Sequence, residues 1–240
     1  MQPEKGFCSP ADLAEQGERD WRYYRMYVGH IITHYDLNEP MGEILDVGSG
    51  TGYFLDCCRI FGFSACGVEG EPNALRESRD RGHAVETLNL ETDPLPYEES
   101  RFSVVFCNHV IEHLPREAGE RLLVEILRVL RPGGALHLNS PSRANVFCRT
   151  MPRHQHCWKP RELRETLERL GYQKVTRRAV VMRWWEYFRY RATWIRPSVP
   201  DRLLERILNR ILALLWRITR LECFMGAASF VAYRGKGTNP

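Results

Sequence analysis

Two rhythms of apolar residues alternate along this chain. Short, nearly continuous apolar runs at residues 43–47, 64–69, 83–88, 102–107 and 135–139 read as strands. Between them, helices are expected over 53–61, 72–81 and 116–130, the last from apolar positions that recur three and four residues apart. On the third of these, Leu122, Leu123, Ile126, Leu127 and Leu130 form one stripe. Gly62, Gly82 and the run Arg131-Pro132-Gly133-Gly134 supply the stops, and Pro72 sits where a first helical turn tolerates it. A helix over 160–170, opened by Pro160 and closed by Gly171, leads to a sixth strand at 172–182, and 227–233 forms a seventh. Residues 10–37 also read as a helix, stopped by Asn38 and Pro40.

Strands that are apolar on both faces belong to a parallel sheet covered by helices, and strands alternating with helices are βαβ units. The expected fold is therefore α/β, with a mostly parallel seven-stranded sheet and helices on both faces. With 240 residues, 43% of them hydrophobic, one domain of this kind can bury a sizeable core. Its expected parts are a helical N-terminal extension (1–40), a core (41–182), a basic helical insertion (183–222) and a last strand with its tail (223–240).

The most informative stretch is Asp46-Val47-Gly48-Ser49-Gly50-Thr51-Gly52, a strand end that becomes a glycine loop opening a helix. Such a turn brings bare main chain and a helix N-terminus against a ligand at the carboxyl edge of the sheet. The spacing is G-x-G-x-G, and Tyr53 stands where a dinucleotide loop wants its third glycine. Asp46 would repel a pyrophosphate and suits a cationic amino-acid head instead.

The string Leu45 to Phe54 resembles the first motif of S-adenosylmethionine-dependent methyltransferases with the Rossmann-like fold. The resemblance continues through Gly67-Val68-Glu69, Asn89-Leu90-Glu91 with Leu95-Pro96-Tyr97, and Phe102-Ser103-Val104-Val105. It ends with Asn108 through Leu114 and Leu130 through Gly134, and spans about residues 40–175. It implies that S-adenosylmethionine is the cofactor. Gly48, Ser49 and Gly50 would pack on its methionine part, with Asp46 beneath supporting the loop or the amino group. Glu69 would accept bonds from the ribose hydroxyls, and Asn89 and Leu90 would flank the adenine. Asn108 and His109 would face the methionine moiety and the substrate mouth. Where the family usually carries Asp, this chain has Asn89 and Ser103.

The resemblance implies an enzyme that moves the cofactor's methyl group to a small-molecule, glycan or lipid-linked acceptor, expected at oxygen. His113 is the leading candidate for a general base, with His109 beside it, because a neutral imidazole near pH 7 can take a hydroxyl proton. The string His109-x-x-Glu112-His113 also has a ligand-like spacing, with His154 and His156 downstream. As a protease motif it would have to lie on one helix, whereas His109 ends a strand, so no metal set is assigned and divalent-metal binding stays a minor alternative. Trp158 is read equally as a substrate wall or as core packing.

Charge adds one feature. Residues 177–220 hold eleven Arg, no Lys and three acids, a local charge of +8 in a chain whose net charge is +4. Within them, 201–217 is amphipathic, with Arg202, Arg206 and Arg210 on one face and Ile207, Leu208, Ile211 and Leu214 on the other. This suits a lid or a homodimer contact, or a peripheral membrane contact. Nucleic acid is disfavoured, since the rest of the chain is net acidic. An alternative reading is a cofactor-fold adaptor that binds a membrane or partner through 183–222 without turnover. The opening residues lack the apolar core of a signal peptide, so the expected location is cytoplasmic, and the eight cysteines are expected reduced.

Overall fold

The computed structural model describes residues 42–143, 148, 151–177 and 227–236; the expected helix at 10–37 and the insertion at 183–222 lie outside them. Within the described residues run β1 (Ile44–Val47), α1 (Tyr53–Ile60), β2 (Ala65–Glu69), α2 (Pro72–Asp80), β3 (Val85–Thr87) and β4 (Phe102–Asn108). There follow a one-turn 3-10 helix (Ile111–His113), α3 (Arg116–Val129), β5 (Leu130–Pro141), α4 (Pro160–Arg169), β6 (Gln173–Arg177) and β7 (Ala227–Tyr233). The strands form one sheet in the order β3-β2-β1-β4-β5-β7-β6. Neighbours from β3 to β5 are parallel, while β7 runs antiparallel to both β5 and β6.

The central strands are buried along their length, as apolar runs require: every residue of β1 and all but the last of β4 are buried. Phe54 of α1 stacks on Phe106 of β4 with ring centroids 4.1 Å apart. The apolar stripe of α3 buries Leu122, Leu123, Ile126 and Val129. Helix ends are closed by specific groups. The Glu71 carboxylate accepts from Ala74 N at 2.7 Å, and Pro72 occupies the first turn of α2. Arg234 donates to the carbonyls of Arg128 and Leu130 at 2.8 and 2.7 Å, placing a cation on the negative end of α3.

The sequence places a break at residues 131–134 and starts the fifth strand at Ala135. Instead, β5 begins at Leu130, which pairs with Phe102. The extra residues are taken up by a register shift between Phe102 and Val104, with Gly133 at φ 79°. Gly134 has no room for a side chain, since a Cβ there would lie 2.9–3.1 Å from three backbone carbonyl oxygens.

Two cross-sheet registers position the rest of the chain. Val47 pairs with Cys107, Cys107 with Leu138, Leu138 with Phe230, and Phe230 with Arg177. Pro141 pairs with Ala227. The end of β6 and the start of β7 therefore both lie at the carboxyl edge of the parallel strands, where β1 runs into the glycine loop.

Tyr172 is buried just before β6, and its hydroxyl donates to Leu123 O at 2.7 Å. Tyr172→Phe is expected to cost about 1 kcal/mol, the usual net worth of one such bond, read as a lower denaturant midpoint at unchanged m value.

Candidate active site

Three glycines with positive φ, Gly48 (70°), Gly50 (54°) and Gly52 (89°), turn the end of β1 into α1. Side chains are also excluded at Gly48 by contact, because a Cβ there would meet Val110 Cγ2 at 2.5 Å. The loop is pinned to β2: Gly48 N and Ser49 N both donate to Val68 O, at 2.9 and 3.0 Å. Glu69 completes the pinning. Its Oε2 accepts from Gly50 N at 2.7 Å, and its Oε1 accepts from Gly70 N and Glu71 N at 2.8 Å each. Three of the four or so lone-pair positions of this carboxylate are thus spoken for by main chain.

Beneath the loop lies Asp46, 3% exposed. Burial first, and then the negative charge of Glu69, hold its carboxyl well above the ordinary range. A buried acid raised in this way gains from a cationic ligand. Ser49 Oγ is buried against Gly67 of β2 and makes no hydrogen bond among the described residues. A cradle of positive-φ glycines, a buried acid raised by its surroundings and an unsatisfied hydroxyl together suit the amino-acid end of S-adenosylmethionine.

Asn89 and Leu90 stand at the loop after β3. Leu90 packs on the core, while Asn89 Oδ1 accepts from Glu91 N at 3.0 Å and shapes its own turn. Ser103 serves support, accepting from Gly42 N at 2.8 Å through its Oγ.

At the end of β4 the chain bends at His109, whose φ of 56° is unusual for a side-chain-bearing residue. Its main-chain N–H donates to Asn139 O at 2.8 Å, and its Nδ1 lies 3.0 Å from Glu112 Oε1. Glu112 is fully buried, and its Oε2 accepts from Ser140 Oγ at 3.0 Å. A carboxylate only accepts, so Nδ1 carries the proton and Nε2 keeps its lone pair, 3.4 Å from Asn139 Nδ2. The same Asn139 amide donates to Asn108 Oδ1 at 2.7 Å, so Asn108, His109, Glu112, Asn139 and Ser140 are one linked set. Asn139 and Ser140 are absent from the candidates read off the sequence, and Glu112 entered there only through the ligand-like spacing of His109-x-x-Glu112-His113.

His113 is exposed on the one-turn helix and joins this set by no hydrogen bond; its Nδ1 lies 3.2 Å from Arg153 O. The segment 151–158 clamps this turn. Gln155 N and His156 N donate to Glu112 O at 2.8 and 3.2 Å, and Gln155 Nε2 donates to His113 O at 2.8 Å. Trp158 has no exposed surface and points its Nε1 at Ile111 O, 3.4 Å away, so it packs the core rather than walling a substrate.

The expectation of reduced cysteines holds for Cys57, Cys58, Cys66 and Cys107, which are free and buried. Burial pushes the Cys66 thiol up to about 12 and that of Cys107 well above its ordinary range, so neither is poised to react. Cys148 and Cys157 depart from it: they are joined in a disulfide, with Cα atoms 6.1 Å apart. The loop closes through Arg143 N to Trp158 O at 3.0 Å, and this folding back brings the two cysteines together.

Residues 45–138 match the family model of a methyltransferase domain. An uncharacterized methyltransferase of Mycobacterium tuberculosis is 31% identical over 139 residues, covering 54% of each chain. Across the curated relatives, the chain spans from about a third to about half of their length. Among solved structures, a SAM-dependent methyltransferase from Archaeoglobus fulgidus superposes with a TM-score of 0.60 at 18% identity, over 89% of this chain and 94% of that one. A Haemonchus contortus phosphoethanolamine N-methyltransferase in complex with S-adenosylhomocysteine gives a TM-score of 0.58 at 18% identity, over 81% and 49%. The structural likenesses establish the fold. Among the described residues, no helix is long and apolar enough to cross a membrane.

Proposed function

Residues 45–138 are a methyltransferase domain on the Rossmann-like fold of S-adenosylmethionine-dependent enzymes, and from that premise we propose that the protein methylates a small-molecule, glycan or lipid-linked acceptor at oxygen. The observation that carries this reading is the cradle itself: Asp46, buried and raised, under the positive-φ turn at Gly48 and Gly50 that Glu69 pins to β2.

In this reading Asp46 and the Gly48–Gly50 main chain hold the amino-acid end of the cofactor. Glu69 holds the ribose, exchanging one of its main-chain bonds for a hydroxyl, and Leu90 lies against the adenine with Asn89. When bound, the cofactor supplies an electrophilic methyl group on a sulfonium. The protein's part is alignment of the acceptor, exclusion of water and removal of one proton. His109 is the better placed of the two histidines for that last task, because Glu112 fixes its Nδ1–H and leaves Nε2 able to accept. Asn139 Nδ2 stands 3.4 Å from that Nε2 and is itself anchored on Asn108 Oδ1, so an acceptor hydroxyl would take its place there.

Calorimetric titration of the full chain with S-adenosylmethionine and S-adenosylhomocysteine tests the reading. Saturable binding of both at one site is expected. No heat of binding from either at high micromolar concentration would overturn it.

A further inference from the structure

The loop that follows β5 gathers donors that methyl transfer does not use. The Sγ atoms of Cys148 and Cys157 and a ring nitrogen of His154 lie within 4.8 Å of one another. A second group with the same spacing is formed by a carboxylate oxygen of Glu112 and ring nitrogens of His113 and His154. His154 belongs to both, and its ring meets that of His113 edge to face at 4.9 Å.

The second partners of these rings settle their tautomers. His154 Nδ1 lies 2.9 Å from Cys148 O, and His113 Nδ1 lies 3.2 Å from Arg153 O. A carbonyl can only accept, so each Nδ1 is the protonated nitrogen and each Nε2 keeps a free lone pair. Imidazoles tied to backbone in this way are oriented and made more basic for a metal. Glu112 is already engaged through both oxygens by His109 and Ser140, which leaves His113 as the fourth donor.

We propose that in the dithiol form Cys148, Cys157, His154 and His113 bind one zinc ion. Two thiolates and two imidazoles are a soft, four-donor tetrahedral set, the combination that selects zinc over hard cations. The disulfide and the metal site are alternative states of the same two sulfurs. With a water-soluble phosphine as reductant, two electrons pass to the disulfide and water supplies the two thiol protons. The oxygen of that water ends on the phosphine oxide. Zinc then displaces both thiol protons to the buffer. The disulfide links the loop only to itself, whereas zinc would tie it through His113 to the turn that carries Glu112, the residue that orients His109.

The test uses the full chain, reduced with phosphine, stripped by a chelator and titrated anaerobically with zinc against a chromophoric chelator. One equivalent is expected to bind to the reduced protein and none to the oxidised protein. Cobalt in place of zinc is expected to give the visible absorption of a tetrahedral thiolate site. Cys157→Ser and His154→Asn are each expected to weaken zinc by more than the ~10- to 100-fold that loss of an outer partner costs. Should these variants not fold, zinc is expected to shield Cys148 and Cys157 of the wild type from alkylation, mapped by peptide mass. Failure of the reduced protein to bind, binding that survives Cys157→Ser, equal binding by the oxidised protein, or alkylation at unchanged rate would each overturn the site.

Discussion

Asp46→Asn is expected to weaken S-adenosylhomocysteine binding about 100-fold, roughly 2.7 kcal/mol, while making the ligand-free protein more stable at neutral pH. Both effects follow from one buried carboxylate. Its pKa in the folded protein is raised by burial and by Glu69. A raised acid contributes stability that is fully present below its unfolded value, near 3.9, and is lost as pH rises through the folded value. At neutral pH the wild type has therefore lost stability that a non-titrating amide at the same place keeps. The gain in melting temperature over wild type should shrink as pH falls toward 4. Binding runs the other way. An ammonium group beside Asp46 favours the ionised form, so affinity should rise with pH through the raised pKa. Protons released on binding should make the calorimetric heat depend on the buffer's ionisation enthalpy. An Asn variant that binds as tightly as wild type would remove Asp46 from the cofactor site.

Trp158→Ala is expected to destabilise the fold by about 3–5 kcal/mol, the cost of emptying a large buried aromatic site. The side chain has no exposed surface and packs against α3 so closely that a Cβ at Gly119 would stand 3.2 Å from Trp158 Cζ2. It also stacks edge to face with His156 at 4.7 Å and donates toward Ile111 O. The last contact matters beyond stability, because Ile111 begins the turn that holds Glu112 and His113. Trp158→Phe keeps most of the volume and should recover more than half of the loss. The measurement is the denaturant midpoint of each variant at constant m value, and a loss below about 1 kcal/mol for the alanine variant would contradict the burial.

How far the sequence could be read depended on the range of the interactions involved. The strands at 44–47, 65–69 and 102–108 were legible because each is an apolar run between turn residues, and such runs fit only a sheet covered on both faces. The glycine loop was legible because its conformation needs residues without a Cβ. Asp46 was legible from its place just before that loop, and Glu69 from the family resemblance. What stayed hidden depends on contacts between distant segments. The 3-10 turn at 111–113 is too short to show a period. Ser140 and Asn139 join His109 only after β5 has paired with β4. The Cys148–Cys157 bond needs the loop closure that Arg143 and Trp158 make, and nine residues of spacing do not announce it. The even weighing of Trp158 between wall and core had the same origin, since burial is a property of the finished packing.

The antiparallel entry of β7 between β5 and β6 has an evolutionary consequence. Because Arg177 and Ala227 both stand at the carboxyl edge of the sheet, the sheet has anchored both ends of whatever joins them. Closing a longer connection costs only about 0.6 kcal/mol per doubling of its length. Natural selection or a protein engineer can therefore graft a different connector between those two strand ends while the seven-stranded chassis is inherited unchanged.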